Sequence, residues 1–156
     1  AQVAHEFAAK GSLGRRGFIR YLEVAARELM RFNPDDHAIV ADGVTLHVRA
    51  LIVAIANARQ YGNGALIAPN ARLDDGKLDL VVVAERPVWR TMLQVPKLFC
   101  GQISHVPGVT MTAAVEIDIN STRPALYHVD GEPFRGTTLL RARAHPNALR
   151  VRVPYS

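Results

Sequence analysis

The sequence is poor in cysteine, in aromatics and in long apolar runs. Its one cysteine, Cys100, excludes an internal disulfide and any cysteine-rich zinc centre, which predicts a reducing compartment and hence a cytoplasmic protein. The longest apolar stretches, Ala50 to Ala56 and Leu78 to Ala84, are too short to cross a bilayer as a helix. The opening "AQVAHEFAAK" lacks the basic start and apolar middle of a signal peptide, and begins with Ala1, so the chain is expected to start mid-protein. Several catalytic signatures are also missing. There is no Gly-x-Ser-x-Gly elbow, no His-Glu-x-x-His and no phosphate loop ending in Gly-Lys-Ser/Thr, and Gly62-Asn63-Gly64 lacks the third glycine of a dinucleotide fingerprint. The six histidines show no ligand spacing, and His128, beside an acidic turn, reads as a structural or solvent-facing ring. A net charge of +5 points to an anionic partner: phosphate, nucleic acid or acidic lipid. With aromatics at only 6%, nucleic acid is the weakest of these, because base-stacking surfaces need them.

What is present describes one domain over residues 1–156, long enough to bury about two thirds of its unfolded surface. Phe18, Leu22, Ala25, Leu29 and Phe32 recur at spacings of four and three, which predicts an amphipathic helix closed by Pro34. A shorter helix is expected from Val3 to Lys10. From His37 the period falls to two, and "HAIVADGVTLHV" predicts a hairpin turning at Asp42-Gly43. "RALIVAIANA" and "KLDLVVVAE" predict strands covered on both faces. A helix should start at Pro87, with Pro96 kinking or dividing it; its Trp89, Met92, Leu93 and Leu98 would either line an acyl cleft or serve as core. "VTMTAAVEIDINS", "ALYHVDGEPF", "TLLRARAH" and "ALRVRVP" read as β. If the last two pair, Arg141, Arg143, Arg150 and Arg152 share one face, which requires acidic neighbours or an anionic surface beside them; a solvated protective edge is the simpler reading. The faces around Arg15, Arg16 and Arg20, or this last hairpin, could rest on anionic headgroups.

Two acidic turns carry the candidate chemistry. In "RLDDGKLD", Asp74, Asp75 and Asp79 concentrate negative charge where Gly76 lets the chain bend, so carboxylate and carbonyl oxygens could converge on a hard cation, Mg2+ or Ca2+. A plain turn between strands explains the same residues. In "HVDGEPF", Asp130 and Glu132 flank Gly131 at a strand end, where they could hold Mg2+ or accept a proton, or again simply turn the chain.

The two turns occur together, in this order, behind "NARQYGNGALIAPNARLDDGKLDL" and with "VDGEPF" further on. That combination resembles the C-terminal domain of the diacylglycerol kinase, sphingosine kinase and bacterial lipid kinase family. The resemblance implies an α+β, predominantly β fold: a two-layer β-sandwich with a few helices. It implies an ATP-dependent enzyme that phosphorylates a lipid hydroxyl and has an N-terminal lobe with a Gly-Gly-Asp-Gly-Thr nucleotide loop, a loop this sequence does not contain. By resemblance, Asp75 would hold a structural Mg2+ with the carbonyls of Arg72 and Lys77. Asp130 would be the general base near the transferred phosphate, and Glu132 would lie near nucleotide or metal. The expected cofactors are Mg2+ and ATP. The expected partners are a lipid substrate, a membrane surface bound peripherally and the N-terminal kinase lobe; a homodimer is compatible with the sequence. Without the nucleotide loop the chain alone should lack useful kinase activity. The competing expectation is a non-catalytic module that binds lipid or protein.

Overall fold

The computed structural model describes residues 33–61, 64–148 and 150. Its strands are β1 (Asp35–Ala41), β2 (Val44–Ala56), β3 (Leu78–Ala84), β4 (Val109–Ala114), β5 (Glu116–Ser121), β6 (Leu126–Val129), β7 (Glu132–Arg135) and β8 (Leu139–Arg143), with helix α1 (Val88–Phe99) and a short 3-10 turn (Ile103–His105) between β3 and β4. Six strands form one antiparallel sheet in the order β4-β3-β2-β1-β5-β8, and β6 pairs only with β7. The predominantly β, few-helix architecture expected from the sequence is what the structure shows.

The β1–β2 hairpin turns where predicted. Asp42 and Gly43 take φ of 45° and 84°, the left-handed pair that a two-residue turn needs to match strand twist. β2 then departs from expectation by running unbroken for 13 residues. Its first half pairs with β1 and its second half with β3, with a register shift between Ala50 and Ile52. Such a bulge bends a strand and increases its twist. The bend lets the two halves of the sheet face each other: Ile39 and Ala41 of β1 and Ile117 and Ile119 of β5 pack in one cluster with Leu80 and Val82 of β3 and Ala114 of β4. This is how a single sheet supplies both layers of a sandwich-like core.

β3 is covered on both faces, as predicted. Leu80 and Val82 point into the main core, while Val81, fully buried, packs under Ala68 and Ala71 of the segment that precedes the strand. The same expectation does not hold for β2, where Ile52 is exposed, because that outer cover reaches only Ala54 and Ala56 of β2. The run "VTMTAAVEIDINS" is likewise two strands, broken at Val115. The break is held from a distance: the Asp42 carboxylate accepts from the Val115 and Glu116 N–H groups at 3.0 and 2.9 Å, and Asp42 N–H donates to the Glu116 carbonyl. One turn residue thereby ties the first hairpin to the corner between β4 and β5.

These bonds, from Glu116 first and then Val115, hold the Asp42 carboxyl below its ordinary 3.8. A lowered folded-state value means stability that is present above the unfolded pKa and is lost as pH falls through the folded one. Asp42→Ala is therefore expected to lower the Tm of the 156-residue chain by several degrees at neutral pH and by less near pH 3. Asp42→Asn, which tolerates the same positive φ, should lose less. Identical melts for wild type and Asp42→Ala would remove the clasp from the account.

Arg141 and Arg143 sit opposite Asp118 and Glu116 because β8 pairs with β5. Arg141 grips Asp118 through two bonds of 2.7 and 2.9 Å, so the acidic neighbours required by the arginine face are there. The second arm "ALRVRVP" falls almost wholly beyond the described residues, as do the two predicted N-terminal helices. α1 begins after Pro87 and is not divided by Pro96, which lies in its last turn, where only one intrahelical bond is lost. Among the described residues, no helix is long and apolar enough to cross a membrane.

Candidate functional site

The described residues between β2 and β3 form no helix or strand, yet they are fixed at every few positions. Tyr61 N–H donates to the Ala65 carbonyl at 2.7 Å, Leu66 N–H to the Leu98 carbonyl of α1 at 2.9 Å, and the Arg59 guanidinium to the Pro69 carbonyl at 2.6 Å. Ala68 and Ala71, both buried, seat it on Val81. Small residues and turn-formers suit a chain that must lie flat on a sheet and satisfy its own backbone. That accounts for their density here.

At the far end of this cover comes the first acidic turn. Gly76 has φ of 69°, and a Cβ there would stand 3.0 Å from Pro146 Cγ, so glycine is needed both for the backbone and for the contact with the 146–147 turn. Asp75 Oδ1 accepts the Lys77 N–H at 3.0 Å, and Asp74 pairs with Arg72 at 3.4 Å. Asp79, at the start of β3, has its carboxyl raised above the ordinary value, first by burial and then by the Asp75 charge. Two carboxylates that repel each other across one turn form a donor set that suits a hard cation. Among the described residues, no three His, Cys, Asp or Glu side chains cluster as metal ligands. A cation here would rest on one or two carboxylates, turn carbonyls and water, the arrangement Mg2+ favours.

The second acidic turn is a tight hairpin. Asp130 and Gly131 take φ of 49° and 93° between the paired residues Val129 and Glu132, and Asp130 and Glu132 are both exposed. A two-stranded ribbon is marginal alone, and three contacts secure this one. Tyr127 stacks on Phe134 with ring centroids 5.6 Å apart. Gly136 N–H donates to the Ala125 carbonyl at 2.8 Å, with no room for a side chain: a Cβ at Gly136 would lie 3.0 Å from the Tyr127 ring. The third contact is the informative one. His128 Nε2 and the Tyr61 hydroxyl share a 2.8 Å hydrogen bond, their rings 5.5 Å apart, across 67 residues of sequence. Burial lowers the His128 pKa below its ordinary value despite the opposing charge of Asp130, which favours the neutral ring.

The structure thus brings His128, the residue before "VDGE", against Tyr61 at the start of "YGNG". No hydrogen bond or ion pair among the described residues joins Asp75 to Asp130; the first turn meets the Pro146 turn, the second meets Tyr61. Sequence reasoning gave Tyr61 no role, and Tyr61 makes this contact; Asp42 was expected only to turn its hairpin, and its tie to the β4–β5 corner has no local signal.

Known proteins share this architecture. The chain is 28% identical over 140 residues to "Probable lipid kinase YegS" of Salmonella heidelberg (strain SL476), covering 88% of this chain and 44% of that protein. It is 35% identical over 120 residues to "Probable lipid kinase YegS-like" of Pseudomonas fluorescens, covering 72% of this chain and 36% of that one. The chain therefore spans less than half the length of these relatives. A crystal structure of a diacylglycerol kinase from Bacillus anthracis str. Sterne superposes with a TM-score of 0.56 at 21% identity, over 78% of this chain and 44% of that one. A second structure from that organism gives 0.64 at 23%, over 90% and 46%. At such identities the likeness speaks to the fold. Residues 2–153 match the YegS C-terminal NAD kinase beta sandwich-like domain, and the chain belongs to that family.

Proposed function

We propose that this chain is the acceptor-side lobe of an ATP-dependent lipid kinase, working with a nucleotide-binding lobe that carries a Gly-Gly-Asp-Gly-Thr loop. The observation that carries the reading is the Tyr61–His128 contact, which seats the Asp130 turn on the motif segment. In the proposed reaction the lipid hydroxyl oxygen bonds to the γ-phosphorus of ATP, the bond from that phosphorus to the β-phosphate oxygen breaks, and ADP leaves. The hydroxyl proton passes to Asp130, whose exposed position at a hairpin tip suits a base that must meet a substrate from outside the domain. Glu132, one residue beyond Gly131, would face nucleotide or metal.

The Asp75 carboxylate and the carbonyls of Arg72 and Lys77 would hold a structural Mg2+. Such an ion would brace the turn and offset the negative charge gathered at Asp75 and Asp79, where burial first and then the Asp75 charge raise the Asp79 carboxyl. The acceptor class, diacylglycerol, sphingoid base or glycolipid, depends on a cleft completed by the other lobe. A module that binds lipid without transfer is the alternative, and one experiment separates them. The full-length protein, given labelled ATP, Mg2+ and a panel of these lipids, is expected to label at least one. Stoichiometric lipid binding with no labelling of any would leave the binding module and overturn the kinase.

A further inference from the structure

Helix α1 presents an apolar stripe to solvent. Trp89 and Leu93, one turn apart, are 61% and 67% exposed, and Pro96 and Cys100 continue the same exposed line. Met92, Val95 and Leu98 are half-buried, and none of the helix is fully buried. Trp89 is the only tryptophan in the chain. The Arg90 guanidinium lies 5.0 Å from the centre of its ring, a pairing of amphipathic ring and cation that suits the boundary between water and acyl chains.

The charges on α1 itself, Arg90 and Lys97, have one sign, and the nearest acidic residues in sequence are Glu85 and Glu116. Residues 86–115 contain Arg86, Arg90, Lys97 and His105 but no aspartate or glutamate. An exposed aromatic and leucine on a helix whose charged residues are all basic match an anionic lipid surface, which takes the apolar groups at its boundary and the cations at its headgroups. A protein partner would need its own apolar and acidic patch to match.

We infer that α1 is the membrane-docking element of this domain, lying in the interface of an anionic bilayer with Trp89 and Leu93 inserted. α1 is hydrogen-bonded to the motif segment through Leu98 and Leu66, and that segment contacts the Asp130 hairpin through Tyr61. Docking by α1 would therefore act on the motif segment that also contacts the acidic hairpin. The inference deepens the kinase reading, but its test needs no turnover, so the two fail separately.

The test uses the 156-residue chain and vesicles of phosphatidylcholine with or without phosphatidylglycerol. The lone tryptophan reports its own insertion. Its emission should shift to the blue and sharpen with anionic vesicles, weakly with neutral ones, and the effect should fade as salt rises. Leu93→Glu should weaken partitioning by about tenfold or more, since a leucine is worth about 1.5–3 kcal/mol when buried, and Arg90→Glu should act mainly at low salt. Both positions are exposed, so unchanged melts are expected and verify folding. Absence of a blue shift, or Leu93→Glu binding like wild type, overturns the inference. A blue shift that follows protein concentration without vesicles also overturns it, by assigning the stripe to contact between copies.

Discussion

Asp130→Asn is expected to lower lipid phosphorylation by the full-length protein by about 10²- to 10⁴-fold while leaving its melt unchanged. Asparagine matches aspartate in size and shares its tolerance for the φ of 49° found here, so the Asp130-Gly131 turn and the Val129–Glu132 pair should survive. What disappears is a carboxylate able to take the proton of an attacking hydroxyl. Labelled phosphate incorporation, measured beside a thermal melt, reads the two effects apart. Asp75→Ala should behave in the opposite manner, lowering thermal stability or changing the Mg2+ dependence more than the rate of transfer. Full activity in Asp130→Asn would mean that the proton leaves by another route, and the base assignment would fall.

The largest stability effect is expected at Ile117. It is fully buried, lies in register with Ala41 on β1 and Ala142 on β8, and belongs to the core cluster that contains Leu80, Val82 and Ala114. Its flanking strand neighbours are alanines and cannot expand into a gap, and the strands themselves are fixed by their ladders. Ile117→Ala should therefore keep most of its cavity and cost about 2–5 kcal/mol, out of a total stability of about 5–15 kcal/mol. The Tm of the chain should fall by on the order of 10 °C. A loss below about 1 kcal/mol in a denaturant titration would show that the two halves of the sheet do not close on each other as described.

Much of this was readable residue by residue. Asp42-Gly43 and Asp130-Gly131 announce their hairpins because so few dipeptides accept two positive φ angles. Leu80, Val81 and Val82 are apolar without alternation, and β3 is indeed covered on both faces. The helix after Pro87 follows from a proline that suits a helix start and an apolar spacing that suits its length. What escaped was set at long range. Nothing local in "RALIVAIANA" tells how far a cover from another part of the chain will extend, and only the bulge at Ala50 explains why one strand serves two layers. The break at Val115 depends on a carboxylate 73 residues away. His128 reads as an ordinary structural ring, and its contact with Tyr61 gives it that role; neither residue names the other in sequence.

The β6–β7 ribbon shares no ladder with the larger sheet and contributes nothing to the main hydrophobic cluster. Its acidic tip is consequently insulated from whatever sets the melting point of the sandwich. A change at Tyr61 is expected to re-aim the tip while sparing the core, whereas a side chain at Gly136 would press on Leu140, which packs against that core. Robustness and aim are separate dials in this architecture, and an engineer can turn one while leaving the other alone.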